Sequence, residues 1–519
     1  MEKVKKFVIS KPDSNNTILR LISNNFATSR DPSQFSVRTF FDTFDWRLYQ
    51  KGLTIYRIED SYSLLDLKKE RILAKYSDAS SKTNLYRFWW EFPSGKLQTA
   101  IKDIISVRAL LPVASIVVSN FPVRVLNADQ KTVTKLSFDS IYYLNGRKRE
   151  FLSSHVKVFS VKGYAKPFQQ LCNKLARNNL PIEKQPDFLM ALEASGKNAG
   201  QYSSKINVQL EPVMPTHQAL KTILLFLIQI IRMNEQGITA DIDTEFLHDF
   251  RVAIRRIRSM LTQIKGVFPP KVTLRLKKDF STIGKQTNRL RDLDVYLLSE
   301  TSYISRLPED LQPGLKNLFS SLLEERKKGH QKVSDFLDSN GYNKVVKYWE
   351  NFLNSPQKLK IPEAPASNRP ILHISQRIIY KRYKKIFKLI GAVRNHTPDE
   401  KIHELRIECK KLRYLLEFFS SLFPPKKMKF LIRQLKKLQN NLGLYNDYYV
   451  QTKMLKSYLE SINLNEKSSL LEAAAIGALI SELNQEQDEV RKTFQETFAK
   501  FNSQKNSKLF HSLFMNTKT

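Results

Sequence analysis

"HDFRVAIRRIRSML", residues 248–261, and "HELRIECKKLRYLL", residues 403–416, are two copies of one pattern. Adding 155 to the numbering takes His248 to His403, Arg251 to Arg406, Arg255 to Lys410, Arg256 to Lys411 and Arg258 to Arg413. The same offset carries "FPP" at 268–270 onto "FPP" at 423–425. It also takes Asp292 and Val295 of "RDLDV" onto Asp447 and Val450 of "LYNDYYV". A register held over this length without a gap is the mark of an internal duplication.

Each copy reads as an amphipathic helix. With His248 at zero on a helical wheel, Arg251, Arg255 and Arg258 fall within about 80° of it on one side. Ile254, Ile257, Leu261 and Ile264 occupy the neighbouring sector and face a core, whereas Arg256 points elsewhere, to solvent or a salt bridge. The second copy repeats the basic edge with His403, Arg406, Lys410 and Arg413. Like charges one turn apart destabilise an isolated helix by a few tenths of a kcal/mol per pair, roughly. A stack of them in both copies therefore points to a bound anion. Downstream stretches add Lys277, Lys278, Lys285 and Arg289 in the first half and Arg433, Lys436 and Lys437 in the second. "RIIYKRYKKIFK" supplies Arg377, Lys381, Lys384 and Lys388 at turn spacing. The cationic neighbours of both histidines repel a metal, so no metal or other cofactor is expected.

The whole chain is basic: 85 Lys and Arg stand against 50 Asp and Glu, a net charge of +35 over 519 residues. Such an excess repels itself in a compact state and is rationalised by a polyanionic partner. Nucleic acid, anionic membrane and inorganic polyphosphate all qualify on charge. The most apolar window, "ILLFLIQII" at 223–231, is too short to span a bilayer. No nucleic-acid-reading motif occurs, nor the basic strands interleaved with aromatics that bind single strands. Two cysteines, Cys172 and Cys409, make a disulfide framework or zinc site unexpected. With only a three-residue apolar run near the start, the expectation is a soluble cytoplasmic protein.

The first two hundred residues have a different period. "FSVRTFFDTFDWRLYQKGLTIYRI", "YSLLDLKK", "LYRFWWEF", "ASIVVSNFPVRVLNADQKTVTKLSFDSIYYL" and "SSHVKVFSVKGY" alternate apolar and polar positions, the pattern of strands. Asn127 to Lys131 is expected to be a hairpin turn. A small-residue stretch at 193–205 follows a short helical segment, and from about residue 215 the periods approach 3.6. A second break at 354–370, with four prolines, separates two helical halves.

The doubled pattern, HDFRVAIRRIRS with LRDLDV and HELRIECKKLRY with LGLYND, resembles the CHAD (conserved histidine α-helical) domain over roughly residues 212–515. The resemblance implies two pseudo-symmetric antiparallel helical bundles with a basic groove or pore that binds inorganic polyphosphate. Carried over by position, it implicates His248, Arg251, Arg255, Arg258, His403, Arg406, Lys410 and Arg413. Lys278, Lys285, Arg289, Arg377, Lys381, Lys384, Arg433, Lys436 and Lys437 extend that lining. Arginine suits it as a planar multi-donor for phosphate and lysine as a point charge.

"FFDTFDWRLYQKGLTIYRI" in turn resembles CYTH domains, the triphosphate tunnel enzymes. That family places carboxylates in an eight-stranded tunnel to hold divalent metal, with Lys and Arg gripping the triphosphate. This sequence departs from the pattern. Val4 stands where a second glutamate is expected after Glu2, Trp89 replaces a carboxylate in "RFWWEF", and "SSHVKVFSVKGY" has no glutamate. The resemblance thus implies the fold without the hydrolase or cyclase chemistry, and Lys6, Arg57, Lys68 and Arg87 as anion contacts of the tunnel.

The expected protein is of the α+β multidomain class. An antiparallel β tunnel or barrel at 1–192 and a linker at 193–211 precede an all-α domain at 212–515. The repeats of that domain, 212–353 and 371–515, flank the proline-rich connection 354–370. The expected partner is inorganic polyphosphate, with location in the cytoplasm on polyphosphate granules. Metal-dependent triphosphatase or polyphosphatase action through the β domain, and nonspecific nucleic-acid binding, are the alternative readings.

Overall fold

A computed structural model of the chain describes residues 4–9, 14–77, 85–182, 185–355, 363–393, 397–462 and 467–515. Glu2 and residues 356–362 of the proline-rich connection lie outside the described residues. The chain divides into two compact units, Met1–Ser203 and Ser204–Thr519.

The first unit is built on one antiparallel sheet. Its strands are β1 (Val4–Ile9), β2 (Ala27–Arg30), β3 (Gln34–Thr43), β4 (Leu53–Ile58), β5 (Ser61–Asp66), β6 (Arg71–Ser77), β7 (Leu110–Leu126), β8 (Thr132–Asn145) and β9 (Lys148–Ser160). The spatial order is β1-β9-β8-β7-β3-β4-β5-β6, and β2 also pairs with β7. Asn127–Lys131 turns the chain between β7 and β8, the Asn127 side chain accepting from the Lys131 N–H at 2.8 Å. Four helices pack on the sheet: α1 (Ser14–Ser23), α2 (Lys96–Ile105), α3 (Ala165–Arg177) and α4 (Asp187–Ala194). Alternation along the strands decides which face each helix covers. Phe7, Ile9, Leu136, Phe138, Val156 and Val158 form one core with α1 and α3. On the opposite face Phe40, Ile116, Val118 and Ile141 pack against Phe188, Ala191 and Leu192 of α4.

One expected strand is absent. In "LYRFWWEF" the residues Trp89–Glu91 form a short 3₁₀ turn. The Glu91 carboxylate accepts from the backbone N–H groups of Arg87 and Phe88, at 2.6 and 3.0 Å, taking donors that a strand ladder requires. The aromatic run instead closes one end of a cluster: Tyr86 and Phe92 pack on Tyr62 and Tyr76.

The second unit is helical. Its first half holds α5 (Thr216–Thr239), α6 (Thr244–Gln263), α7 (Pro270–Gln286), α8 (Asn288–Leu298), α9 (Glu300–Ile304), α10 (Lys316–Asp338) and α11 (Asn340–Asn354). Its second half holds α12 (Ile371–Ala392), α13 (Asp399–Phe418), α14 (Pro425–Leu459), α15 (Lys467–Lys492), α16 (Phe494–Phe501) and α17 (Gln504–Phe514). The 155-residue offset maps α6 onto α13 at both ends and the start of α7 onto the start of α14. The second proline of each "FPP" opens the helix, where its fixed φ fits and its missing N–H costs nothing. The pseudo-symmetry is also visible in the backbone. Thr216 N–H donates to the Arg369 carbonyl at 2.9 Å and Ile371 N–H to the Met214 carbonyl at 3.0 Å, each bond the image of the other under the offset. The copies part at Thr287, where the first breaks into α7 and α8 while α14 runs on. No helix among the described residues is long and apolar enough to cross a membrane.

Candidate polyanion site

The motif helices are positioned by their apolar stripes. Phe250, Ala253, Ile254, Ile257 and Leu261 of α6 are buried, as are Leu405, Cys409, Leu412, Leu415 and Leu416 of α13. Asp243 caps α6 by accepting from the Glu245 N–H at 2.9 Å. Burying these faces leaves the basic edges of the two helices turned to a common groove. A groove of about 630 Å³ is lined by Arg255, Arg258, Ser259 and Thr262 of α6, Lys277, Lys278 and Ser281 of α7, and Ile407, Lys410, Lys411 and Tyr414 of α13. Six of these residues are basic, and no acidic side chain is among them.

The cations around this groove depress one another. Burial pulls Lys410 down to about 8, and Arg406 and Arg255 add to the effect. Arg406 is likewise lowered by burial, with Arg255 acting in the same direction and Asp447 against it. Arg251 is pulled down to about 10 by burial, opposed by Asp292 and reinforced by Arg255 and Arg291. A chain of mutual repulsion thus runs from Arg291 through Arg251 and Arg255 to Lys410 and Arg406. The two basic edges meet where Arg255 faces Arg406 and Lys410.

The motif histidines stand in equivalent places with different partners. His248 Nδ1 lies 3.0 Å from the Arg291 guanidinium, and His403 Nδ1 lies 2.8 Å from the Asn446 side-chain oxygen. Residues 291 and 446 are themselves related by the offset. An arginine beside a ring nitrogen only donates, so His248 accepts there, whereas a carbonyl oxygen makes His403 the donor. His403 and Arg406 also line a separate pocket of about 310 Å³ with Tyr445, Asn446 and Tyr449. Arg251 donates to the Gly284 carbonyl and to Thr287 Oγ1, at 3.1 and 2.9 Å, at the break between α7 and α8. Its counterpart Arg406 lies 3.3 Å from Asp447.

The remaining sequence-selected cations are dispersed. Arg377, Lys381 and Lys384 line a pocket on α12 with Tyr380 and Phe514. Arg433 and Lys436 line another with residues 206–209. Arg289 forms a two-point ion pair with Glu325, while Lys285 and Lys437 are exposed on α7 and α14. Arg413 Nε lies 3.5 Å from Glu417 in an ion pair on its own helix. Arg256, set apart by its helical phase, donates to the same Glu417 at 2.8 Å and to the Ser204 carbonyl at 2.6 Å. The paired basic pattern does not point to Arg291, because Asn446 stands at its place in the second copy.

In the first unit, a pocket of about 940 Å³ is lined by Arg38, Asn120, Ser137, Asp139 and Lys157, among others. Lys6, Ser137 and Lys157 share one cross-strand row, and Asn120, Asp139 and His155 the next. Lys157, Lys6 and Arg38 each have a carboxylate. Lys157 Nζ lies 2.8 Å from Asp139, and Asp187 of α4 takes Lys6 at 2.8 Å and Arg38 at 3.1 Å. Burial alone would raise the Asp187 carboxyl, but Lys157, Lys6 and Arg38 outweigh it and hold it well below the usual range. Burial drives His155 down to about 3, helped by Lys6 and Lys157, so its ring is neutral at physiological pH. Of the four cations chosen from sequence, only Lys6 belongs to this constellation. Arg57 pairs with Asp60 over the Tyr62 ring, Lys68 sits in the exposed turn after β5, and Arg87 is exposed beside the aromatic cluster. Arg38, Lys157 and Asp187 carried no motif, because their meeting depends on strand register and on where α4 returns to the sheet.

The family model described as the CHAD domain matches residues 222–456, a span that contains both motif helices. Among solved structures, the CHAD domain from the plant Ricinus communis is 23% identical, covering 57% of this chain and 95% of its own, with a TM-score of 0.47. PptA from Streptomyces chartreusis is 14% identical, covering 55% and 99%, with a TM-score of 0.44. HpAC1 from Hippeastrum, described as having a dominant triphosphatase activity, is 15% identical, covering 39% and 100%, with a TM-score of 0.24. No curated protein matches the chain.

Proposed function

We propose that this chain binds inorganic polyphosphate along the cation line of its helical unit, and that this binding directs it to polyphosphate granules in the cytoplasm. The observation that carries the reading is the groove between α6, α7 and α13, with six basic residues and no acidic one in its lining. Cations held together against mutual repulsion, with Lys410 depressed to about 8, are relieved by an anion that joins them. A linear polyanion suits a line of donors running from one helix to the next better than an isolated phosphate does. Arg251, Arg255 and Arg258 offer forked donors, and Lys410 and Lys278 act as point charges.

The first unit is read as a CYTH-like fold without hydrolase chemistry. A tunnel enzyme of that kind would need carboxylates free to hold a divalent metal. Asp139 and Asp187 do not suit that task, because Lys157, Lys6 and Arg38 already occupy them and would repel the ion. Purified protein is expected to release no phosphate from tripolyphosphate above background with Mg²⁺ or Mn²⁺.

The direct test is binding of long-chain polyphosphate to the full chain across a salt series. Combining His248→Ala, Arg255→Ala, His403→Ala and Lys410→Ala is expected to weaken binding on the order of a hundredfold or more. Rising salt should weaken the wild type as counterion release dictates. Undiminished affinity in that variant overturns the assigned site. Equal displacement of polyphosphate by RNA or DNA of equal charge would favour a nonspecific polyanion binder instead.

A further inference from the structure

The duplication gives the groove a pseudo-equivalent face on the other copy, and the chain treats the two differently. Under the 155-residue offset, Arg255, Arg258, Thr262, Lys278 and Ser281 of the first groove correspond to Lys410, Arg413, Glu417, Arg433 and Lys436. Lys411, which reaches across from the other copy, corresponds to Arg256. The second set is at least as basic as the first. It also carries a carboxylate that the first lacks: Glu417 stands where the first copy has Thr262.

Glu417 holds two of the cations that would otherwise face an anion. Its carboxylate takes Arg256 at 2.8 Å and Arg413 at 3.5 Å. Thr262, by contrast, turns its hydroxyl to the Arg258 carbonyl of its own helix at 2.8 Å and leaves the first groove without a negative charge. A backbone segment adds to the difference. Ser204 accepts from Arg256 at 2.6 Å, and Leu210 N–H donates to Ser421 Oγ at 3.1 Å. Between these anchors, Ile206 to Gln209 share a pocket with Arg433 and Lys436, where Lys278 and Ser281 instead share theirs with α6 and α13.

We propose that the helical unit takes up polyanion on one face only, through the groove of α6, α7 and α13, because Glu417 and the strap 204–210 occupy the pseudo-equivalent face. Glu417 acts there as a built-in anion. The inference rests on the polyphosphate reading and adds to it a stoichiometry and a residue that sets it.

Titration calorimetry of the full chain with tripolyphosphate tests the idea. Wild type is expected to bind one tripolyphosphate per chain. Glu417→Thr, which installs the residue of the first copy, should open a second site and bring the number to two. Glu417→Gln, which keeps the shape and removes the charge, should act in the same direction. The reciprocal change, Thr262→Glu, places a carboxylate in the open groove at an exposed position and should weaken the wild-type site at least tenfold. Two sites in wild type, an unchanged single site in both Glu417 variants, or full affinity in Thr262→Glu would each overturn the one-sided arrangement. Absence of any binding by wild type would instead strike the polyphosphate reading itself.

Discussion

The two copies of the motif share a backbone path and differ in what surrounds each cation. In the first, the histidine meets an arginine, the next arginine caps a helix break, and the groove is free of carboxylate. In the second, the histidine meets an asparagine, the arginine meets Asp447, and Glu417 neutralises the far end of the basic edge. Each copy also has its own buried carboxylate. Asp294 is held by Arg326, which also binds Asp241. Glu408 is held by Arg382, Lys385 and Lys411. The counterparts of these two carboxylates are Tyr449 and Ala253, so neither network is inherited from the repeat. Duplication therefore preserves where the charges project, while unrelated neighbours decide how much of each charge remains available.

The most severe way to break the comparison is to remove the cation of each network. Arg326→Ala leaves Asp294 buried without its guanidinium and is expected to cost about 3–5 kcal/mol in urea unfolding. Arg382→Ala leaves Glu408 with two lysines and should cost about 1–2 kcal/mol. Equal losses would show that the two networks are equivalent after all.

A smaller effect separates Arg255 from Lys410, the same position in the two copies. A lysine held near 8 loses its proton in the native state more than two pH units before the unfolded chain does. The unfolded chain therefore binds more protons between pH 8 and 10, and this residue adds stability as pH rises through that window. Polyanion binding runs the other way, because it favours the charged lysine. Affinity should be constant below pH 8 and fall by up to about tenfold per unit above it. Lys410→Arg stays charged and should flatten the profile between pH 7 and 9. A wild-type profile already flat there would show that Lys410 is not part of the binding line. The smallest change is Thr287→Ala, which removes one acceptor from Arg251 and should lower stability by about 1 kcal/mol. Leu442, at the equivalent position, has no hydroxyl to lose, so the first copy alone is sensitive here.

Much of the helical unit was legible before any coordinates. The 3.6-residue period, the paired "FPP" helix starts and the constant offset are local features, and local features survive folding. The same reasoning set Arg256 apart from Arg255 and Arg258, and Arg256 is indeed the one tied into a buried ion pair. Helical phase was not enough for Arg413, which lies on the basic edge yet faces Glu417 one turn along. In the first unit, alternation located most strands but failed in "LYRFWWEF", where a glutamate captures the backbone donors and the aromatics find one another.

By itself, then, the sequence determined that this chain joins a strand-rich segment to a duplicated, strongly basic helical domain, because periodicity and repeat are properties of neighbours along the chain. Tertiary structure alone decided which cations share a groove and which are silenced. Arg255, Lys278 and Lys410 are brought together from three helices, while Lys6 and Arg38 are matched to an aspartate about 150 or more residues away. The physical reason is that charge acts through space over a few ångströms. Its effect depends on which carboxylate folding places beside it, as with Glu417 beside Arg256 and Arg413.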